Sequence, residues 1–245
     1  MVESQAMQTT GRQGEWATPV ERLRFPPLPK DAINVNAEGR RPTGPMKGFG
    51  ALWRRTYTIG LVNSTATPAE VVRVWKERFG SFWPPSGRFY GADKPIEAGD
   101  VALLNLAGPA GITIATGILV IYADDESFCF ISAEGHMVGG MITFSARREK
   151  GTTVAQVQAL LRASDPLFEI ATRLGLTTKP EDQFWQGALK NLAAHFGVED
   201  QPVNLQAVLL DPSLQWSEVK NTWYNGAIRC ALHMPVRWLR RQGGR

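Results

Sequence analysis

A chain of 245 residues and 27.0 kDa, 43% apolar and 20% charged, is long enough for one large domain with a sizeable core, and its composition excludes a fibrous or fully disordered protein. The net charge of +4 sits at one end: Lys220, Arg229, Arg237, Arg240, Arg241 and Arg245 follow Glu218 with no further acid, so the body lacks the basic stripe with stacking aromatics of a nucleic-acid binder, and no nucleic acid is expected as a partner. Cys129 and Cys230 lie far apart without a CxxC pair, residues 1–15 hold no apolar signal core, and no apolar run reaches the length of a spanning helix; the expectation is a soluble, cytoplasmic protein without a disulfide framework.

Residues 1–48 read as an irregular arm. Pro19, Pro26, Pro27, Pro29, Pro42 and Pro45 break every candidate helix, and glycine and charged residues fill the gaps. Residues 25–29 are able to dock as a polyproline strand, although a solvated tail is the simpler expectation. The ordered body begins at Phe49. Trp53, Arg55, Tyr57 and Ile59 alternate with Arg54, Thr56 and Thr58, which predicts a strand. Thr67-Pro68-Ala69-Glu70 supplies an N-cap, a first-turn proline and a capping-box glutamate. Val71, Val72, Trp75 and Phe79 then recur at helical spacing up to Gly80. Phe82-Trp83-Pro84-Pro85 leads away from this helix.

The segments 100–106, 112–122, 128–133 and 141–148 are short, β-branched or aromatic, and bounded by Gly108-Pro109-Ala110-Gly111, Asp124-Asp125-Glu126 and Gly139-Gly140. Residues 153–164 alternate as a further strand, although Val154, Val157 and Leu161 also fit a helix face. Consecutive strands with tight turns predict hairpins and an antiparallel sheet. From Asp165 the pattern turns helical. Thr178-Lys179-Pro180-Glu181 reads as a second capping box, Phe184, Trp185, Ala188, Leu189, Leu192 and Phe196 form one apolar stripe, and Gly197 closes the helix. A β-like run over 203–210 precedes an amphipathic helix over roughly 216–232, whose Trp216, Val219 and Trp223 are expected to cover the body. Three units follow: an arm over 1–48, a domain over 49–198 and a basic extension over 199–245.

This order resembles the helix-grip superfamily of START-like, polyketide-cyclase-like domains (SRPBCC), and in its hairpin and last strand a poorly characterised bacterial branch of it. The likeness rests on Tyr57-Thr58-Ile59 before Thr67-Pro68-Ala69-Glu70-Val71-Val72, on Ala133-Glu134-Gly135-His136 before Gly140-Met141-Ile142-Thr143-Phe144, and on Ala163-Ser164-Asp165-Pro166-Leu167. It covers residues 49 to 197. The resemblance implies an α+β helix-grip fold, in which a curved antiparallel sheet of six or seven strands wraps a long C-terminal helix around an apolar cavity. It also implies a hydrophobic ligand such as a lipid, sterol or aromatic polyketide, with catalysis in a minority of members.

The chain carries no GxSxG elbow, HExxH pair or P-loop, so no cofactor or metal is expected. His136, beside Glu134 and a glycine-rich turn, is the candidate for acid, base or ligand chemistry; a hydrogen-bonded hairpin residue is the alternative. Three scattered histidines do not make a metal site, and Asp124-Asp125-Glu126 reads as a hairpin tip. Trp75, Phe79, Phe82, Trp83, Phe89 and Tyr90 cluster around the first helix and its exit. They are the candidate ligand-binding residues, with ordinary core packing as the alternative. Binding of a hydrophobic small molecule is therefore the leading functional expectation. A cyclase or dehydratase using His136 and Glu134, and an interaction module using arm or tail, stand behind it. Arg237, Trp238, Leu239, Arg240, Arg241 and Arg245 also suit weak contact with an anionic membrane, which would place the protein at its inner face.

Overall fold

The computed structural model describes residues 14–108 and 111–233. Its elements in chain order are β1 (Pro42–Thr43), β2 (Leu52–Leu61), α1 (Pro68–Arg78), β3 (Gly87–Tyr90), β4 (Val101–Ala107), β5 (Thr113–Ala123), β6 (Ser127–Ala133), β7 (Val138–Glu149), β8 (Thr152–Ala163), α2 (Pro166–Arg173), α3 (Thr178–His195) and β9 (Asn204–Asp211). A single antiparallel sheet runs β3-β4-β5-β6-β7-β8-β2-β9, with β1 added along β6. It curls around α3, whose Ala188, Leu189, Leu192 and Ala193 are buried against it. This is the α+β helix-grip architecture. Seven strands, β2 to β8, form its body; β1 from the arm and β9 from the segment after residue 198 extend it.

Local chemistry explains the elements. The Thr67 hydroxyl accepts the Glu70 N–H at 3.3 Å, and the Glu70 carboxylate accepts the Thr67 N–H at 2.7 Å, closing the expected capping box. The second expected box does not form. Helix α3 starts one residue earlier, so Thr178 already has helical geometry, and the Thr177 hydroxyl is engaged with Thr172 Oγ1 at 2.8 Å. Glu181 is thereby released from a capping role.

Residues 14–48 are not a solvated tail. Leu23 is fully buried against Leu119 and Ala133 on the convex face of the sheet, with Val20 and Phe25 beside it. The arm satisfies its backbone on strand residues: Ala17 N–H donates to Ile121 O at 3.0 Å, and Ile33 N–H donates to Asn105 Oδ1 at 2.9 Å. Gly117 permits this approach, since a Cβ there would stand 2.7 Å from the Phe25 ring. Burial on both faces explains why β5 reads as a nearly continuous apolar run.

The expected helix over 216–232 is broken in two. Trp216–Tyr224 winds as a 3-10 helix, and residues 226–233 form a separate helix. Asn225 makes the break: its Oδ1 accepts the Ile228 N–H at 3.0 Å and its Nδ2 donates to the buried Asp165 at 2.7 Å. Trp216 meets the buried Phe49 edge to face at 5.4 Å but stays 69% exposed, and Val219 and Trp223 face outward at 45% and 81%. The expectation placed on residues 237–245 lies outside the described residues.

Candidate ligand cavity

The concave side of the sheet divides into two halves along the same strands. Toward α1 it is solid. Trp75, Phe79, Phe128 and Phe144 meet with ring centroids 4.8–6.0 Å apart, mostly edge to face, and Tyr57, Ile59, Val157, Leu189 and Leu192 complete the core. Toward α2 it is hollow, with a cavity of about 1230 Å³ between the sheet, α2 and the N-terminal half of α3. This exceeds the usual volume of a small-molecule site, roughly 300–1,000 Å³.

Side-chain size produces the difference. At the solid end the inward positions of β6, β7 and β8 include Phe128, Phe144 and Val157, whereas Ala51, Ser132, Ala159 and Ala163 line the hollow end beside Ile142 and Leu161. A wall of rings separates the halves: Phe184 lies 4.9 Å from both Trp83 and Trp185, and Trp185 lies 5.5 Å from Phe144. Gly87 lets β3 close on this wall, because a Cβ there would fall 2.7 Å from the Phe184 ring. The rim is marked by residues that both line the cavity and reach solvent, among them Arg173, Leu176, Gln183, Leu209 and Pro212.

Polar groups on this apolar chamber are few. Arg55 points inward from β2; its Nε donates to Tyr57 Oη at 3.1 Å and its Nη2 forms an ion pair with Asp182 on α3. Tyr57 Oη donates in turn to Asp182 at 2.7 Å. Burial pulls the Arg55 pKa down, but the bonds to Tyr57 and Asp182 outweigh it and the guanidinium stays charged. Burial, with the charge of Glu181, raises the Tyr57 phenol, which remains protonated. Glu181 also lines the cavity. Removal from water pushes its carboxyl up to about 7, against the opposing pull of Arg55. It can therefore hold or release a proton near neutrality.

His136 lines the cavity as well, with burial lowering it to about 4. Its Nδ1 accepts the Val138 N–H at 3.1 Å, which fixes the neutral ring's proton on Nε2. Glu134 does not line the cavity. It pairs with Arg40 of the arm at 3.7 Å, so the expected pairing of Glu134 with His136 inside the chamber is not what the structure brings together. Gly135, at φ +89, turns the chain between them; a Cβ there would meet Tyr224 O at 2.3 Å.

Of the six aromatic candidates, Trp83 stands on the cavity wall. Trp75, Phe79 and Phe82 are buried in the solid core. Phe89 packs on Phe79 at 5.1 Å and lines a separate, shallower recess of about 400 Å³. The half-buried Tyr90 donates to Asp31 of the arm at 3.1 Å. Arg55, Glu181 and Asp182 were not foreseen. Arg55 carried a signal, being a charged residue on the apolar, inward parity of a strand; Glu181 was assigned to the capping box instead. Among the described residues no group of His, Cys, Asp or Glu is arranged to hold a metal ion.

Fold and cavity together define the class: an α+β helix-grip protein enclosing a large, mostly apolar chamber. No protein-family model matches the chain, and no curated protein matches it. Several solved structures resemble it at low identity. The major latex-like protein 151 of Panax ginseng is 10% identical over 60% of this chain and 99% of its own, with a TM-score of 0.46. The di-domain ARO/CYC StfQ of the steffimycin biosynthetic pathway is 9% identical over 60% of this chain and 53% of its own, at 0.47. Protein CV1439 of Chromobacterium violaceum is 17% identical over 60% and 98%, at 0.40. None of these values bears on what this chain does; the helix-grip assignment stands on the strand order and the seat of α3.

Proposed function

We propose that this chain is a START-like helix-grip protein that binds a hydrophobic small molecule in its cavity, for transport or sequestration. The observation that carries the reading is the contrast in size between inward residues of the same strands, which leaves about 1230 Å³ unfilled where a globular core would close. Apolar walls with a few convergent polar groups are the usual form of a ligand site. The ligand has an apolar body that lies along Leu106, Ile118, Ile142 and Leu161. A hydroxyl or carbonyl group reaches Glu181 and the Arg55 end of the chamber. Native mass spectrometry of the purified full chain tests this. The expected result is a one-to-one adduct with a small apolar molecule, removed on collisional activation. A bare chain that also fails to take up N-phenyl-1-naphthylamine, a neutral apolar fluorophore, would overturn the reading.

A second reading, an enzyme of the cyclase or dehydratase kind, is favoured by one observation: Glu181 and His136 line the same chamber, a carboxyl that titrates near neutrality and an imidazole with Nε2–H available to donate. If the adducted molecule leaves the wild-type protein chemically changed, while Glu181→Gln releases it unaltered, the chain is an enzyme. Unaltered release from both leaves binding alone.

A further inference from the structure

We propose that the face formed by α2 and the 3-10 helix Trp216–Tyr224, beside the cavity rim, docks on an anionic lipid bilayer. On α2, Phe168 and Glu169 turn inward, while Leu167, Ile170 and Leu174 form an outward stripe at 46%, 56% and 68% exposure. Leu176, on the rim, is 59% exposed. The 3-10 helix packs against α2 and adds Trp216, Val219 and Trp223. Ile228 and Leu232 on the last helix are exposed as well. An isolated exposed Leu needs no explanation, but several adjoining elements that each turn large apolar residues to water mark an interaction surface. Trp216 leans edge-on against Phe49 yet stays mostly exposed, as does Trp223, so packing leaves most of both rings in water.

Charge selects the occupant. The acids on these elements are not presented to a partner: Glu169 is buried and bonded to Arg173 Nε at 2.8 Å, Glu218 is buried, Asp165 caps α2 and holds Asn225, and Asp211 is paired with Arg162. Arg173 on α2 and Lys220 on the 3-10 helix are exposed cations on the same two elements. A second copy packed face to face would bring these cations together, whereas an anionic bilayer complements them. Trp216 and Trp223 are the side chains that prefer the headgroup boundary. Since Arg173 and Leu176 also stand at the rim, docking would open the chamber toward the acyl region. The inference does not depend on the cavity being a ligand site.

Co-sedimentation of the full chain with vesicles tests it, using phosphatidylcholine alone and phosphatidylcholine mixed with phosphatidylglycerol. The account expects sedimentation with the anionic vesicles, weakened by salt. It expects roughly tenfold weaker partitioning for the pair Trp223→Ala and Leu174→Ala, which are exposed and leave the melting temperature unchanged. Brominated lipid should quench the tryptophan emission of the wild type, and quench the pair variant less. Equal sedimentation of wild type and variant, or none for either, overturns the proposal. So does a dimer in sedimentation velocity that the pair variant dissolves, since that assigns the face to a second copy.

Discussion

Near α1, the inward positions of β6, β7 and β8 carry Phe128, Phe144 and Val157, and each is fully buried against another core side chain. A few residues along the same strands, Ser132, Ile142 and Ala159 line open volume instead. Strand pairing is continuous through both regions, so the backbone does not distinguish them. The distinction lies in side-chain volume and in the helix that fills the space, α1 packing on the solid half. A sheet of one curvature can thus hold a close-packed core and a chamber at once, with Phe184, Trp185 and Trp83 as the partition. The solid half supplies stability, and the hollow half is free to be shaped by what it holds.

Substitutions can break this comparison. The largest effect is expected in the solid half, where Phe144→Ala removes a fully buried ring with aromatic partners on several sides and should cost about 3–5 kcal/mol in chemical denaturation. Next comes the link across the chamber. Arg55→Leu strands Asp182 and leaves the Tyr57 hydroxyl with a single partner, for an expected loss of about 3 kcal/mol by the same measurement. A smaller and sharper contrast is available on β8. Ala155→Leu inserts volume into the packed half and should destabilise by about 1–3 kcal/mol, whereas Ala159→Leu, four residues on, points into the cavity and should change stability by less than about 1 kcal/mol. Equal penalties at the two positions would show that the hollow half is packed in solution.

A further effect concerns protons. Glu181 is raised from its ordinary range to about 7, so between roughly pH 4.5 and pH 7 the folded chain holds a proton that the unfolded chain has lost. Its contribution is therefore fully present below about 4.5 and is lost as pH rises to 7. Glu181→Gln should flatten that fall, read as the difference between wild-type and variant melting temperatures across the window. His136 acts with the opposite sign. Its lowered value makes stability fall as pH drops from about 6.5 to 4, and it is common to both proteins, so the difference isolates Glu181.

How much of this was legible follows from what each signal depends on. Strand alternation, the Thr67 capping box and the apolar stripe of α3 are local patterns, and the sheet wrapped on α3 follows from them. The cavity was implied through resemblance, but its position was not. The aromatic cluster Trp75, Phe79 and Phe82 is conspicuous in sequence because it is core, while the chamber is lined by small residues and by Leu and Ile side chains that read as ordinary core in a one-dimensional pattern. Arg55 was visible on the inward parity of β2, yet its partner Asp182 lies far along the chain. The docking of the arm was hidden for the same reason: Leu23 is one apolar residue among prolines, and only the convex face of β5 and β6 gives it a place. The break at Asn225 depends on Asp165, which periodicity within 216–232 cannot sense.

The central claim is that the hollow half is a binding chamber. Titration with N-phenyl-1-naphthylamine tests it most directly, comparing wild type with Ala159→Phe, which projects into the chamber, and with Trp223→Ala, which alters the outer face. The account predicts saturable one-to-one enhancement for the wild type and for Trp223→Ala, and its weakening in Ala159→Phe at an unchanged melting temperature. Equal enhancement in Ala159→Phe, or loss only in Trp223→Ala, would place the fluorophore outside the cavity and contradict the account.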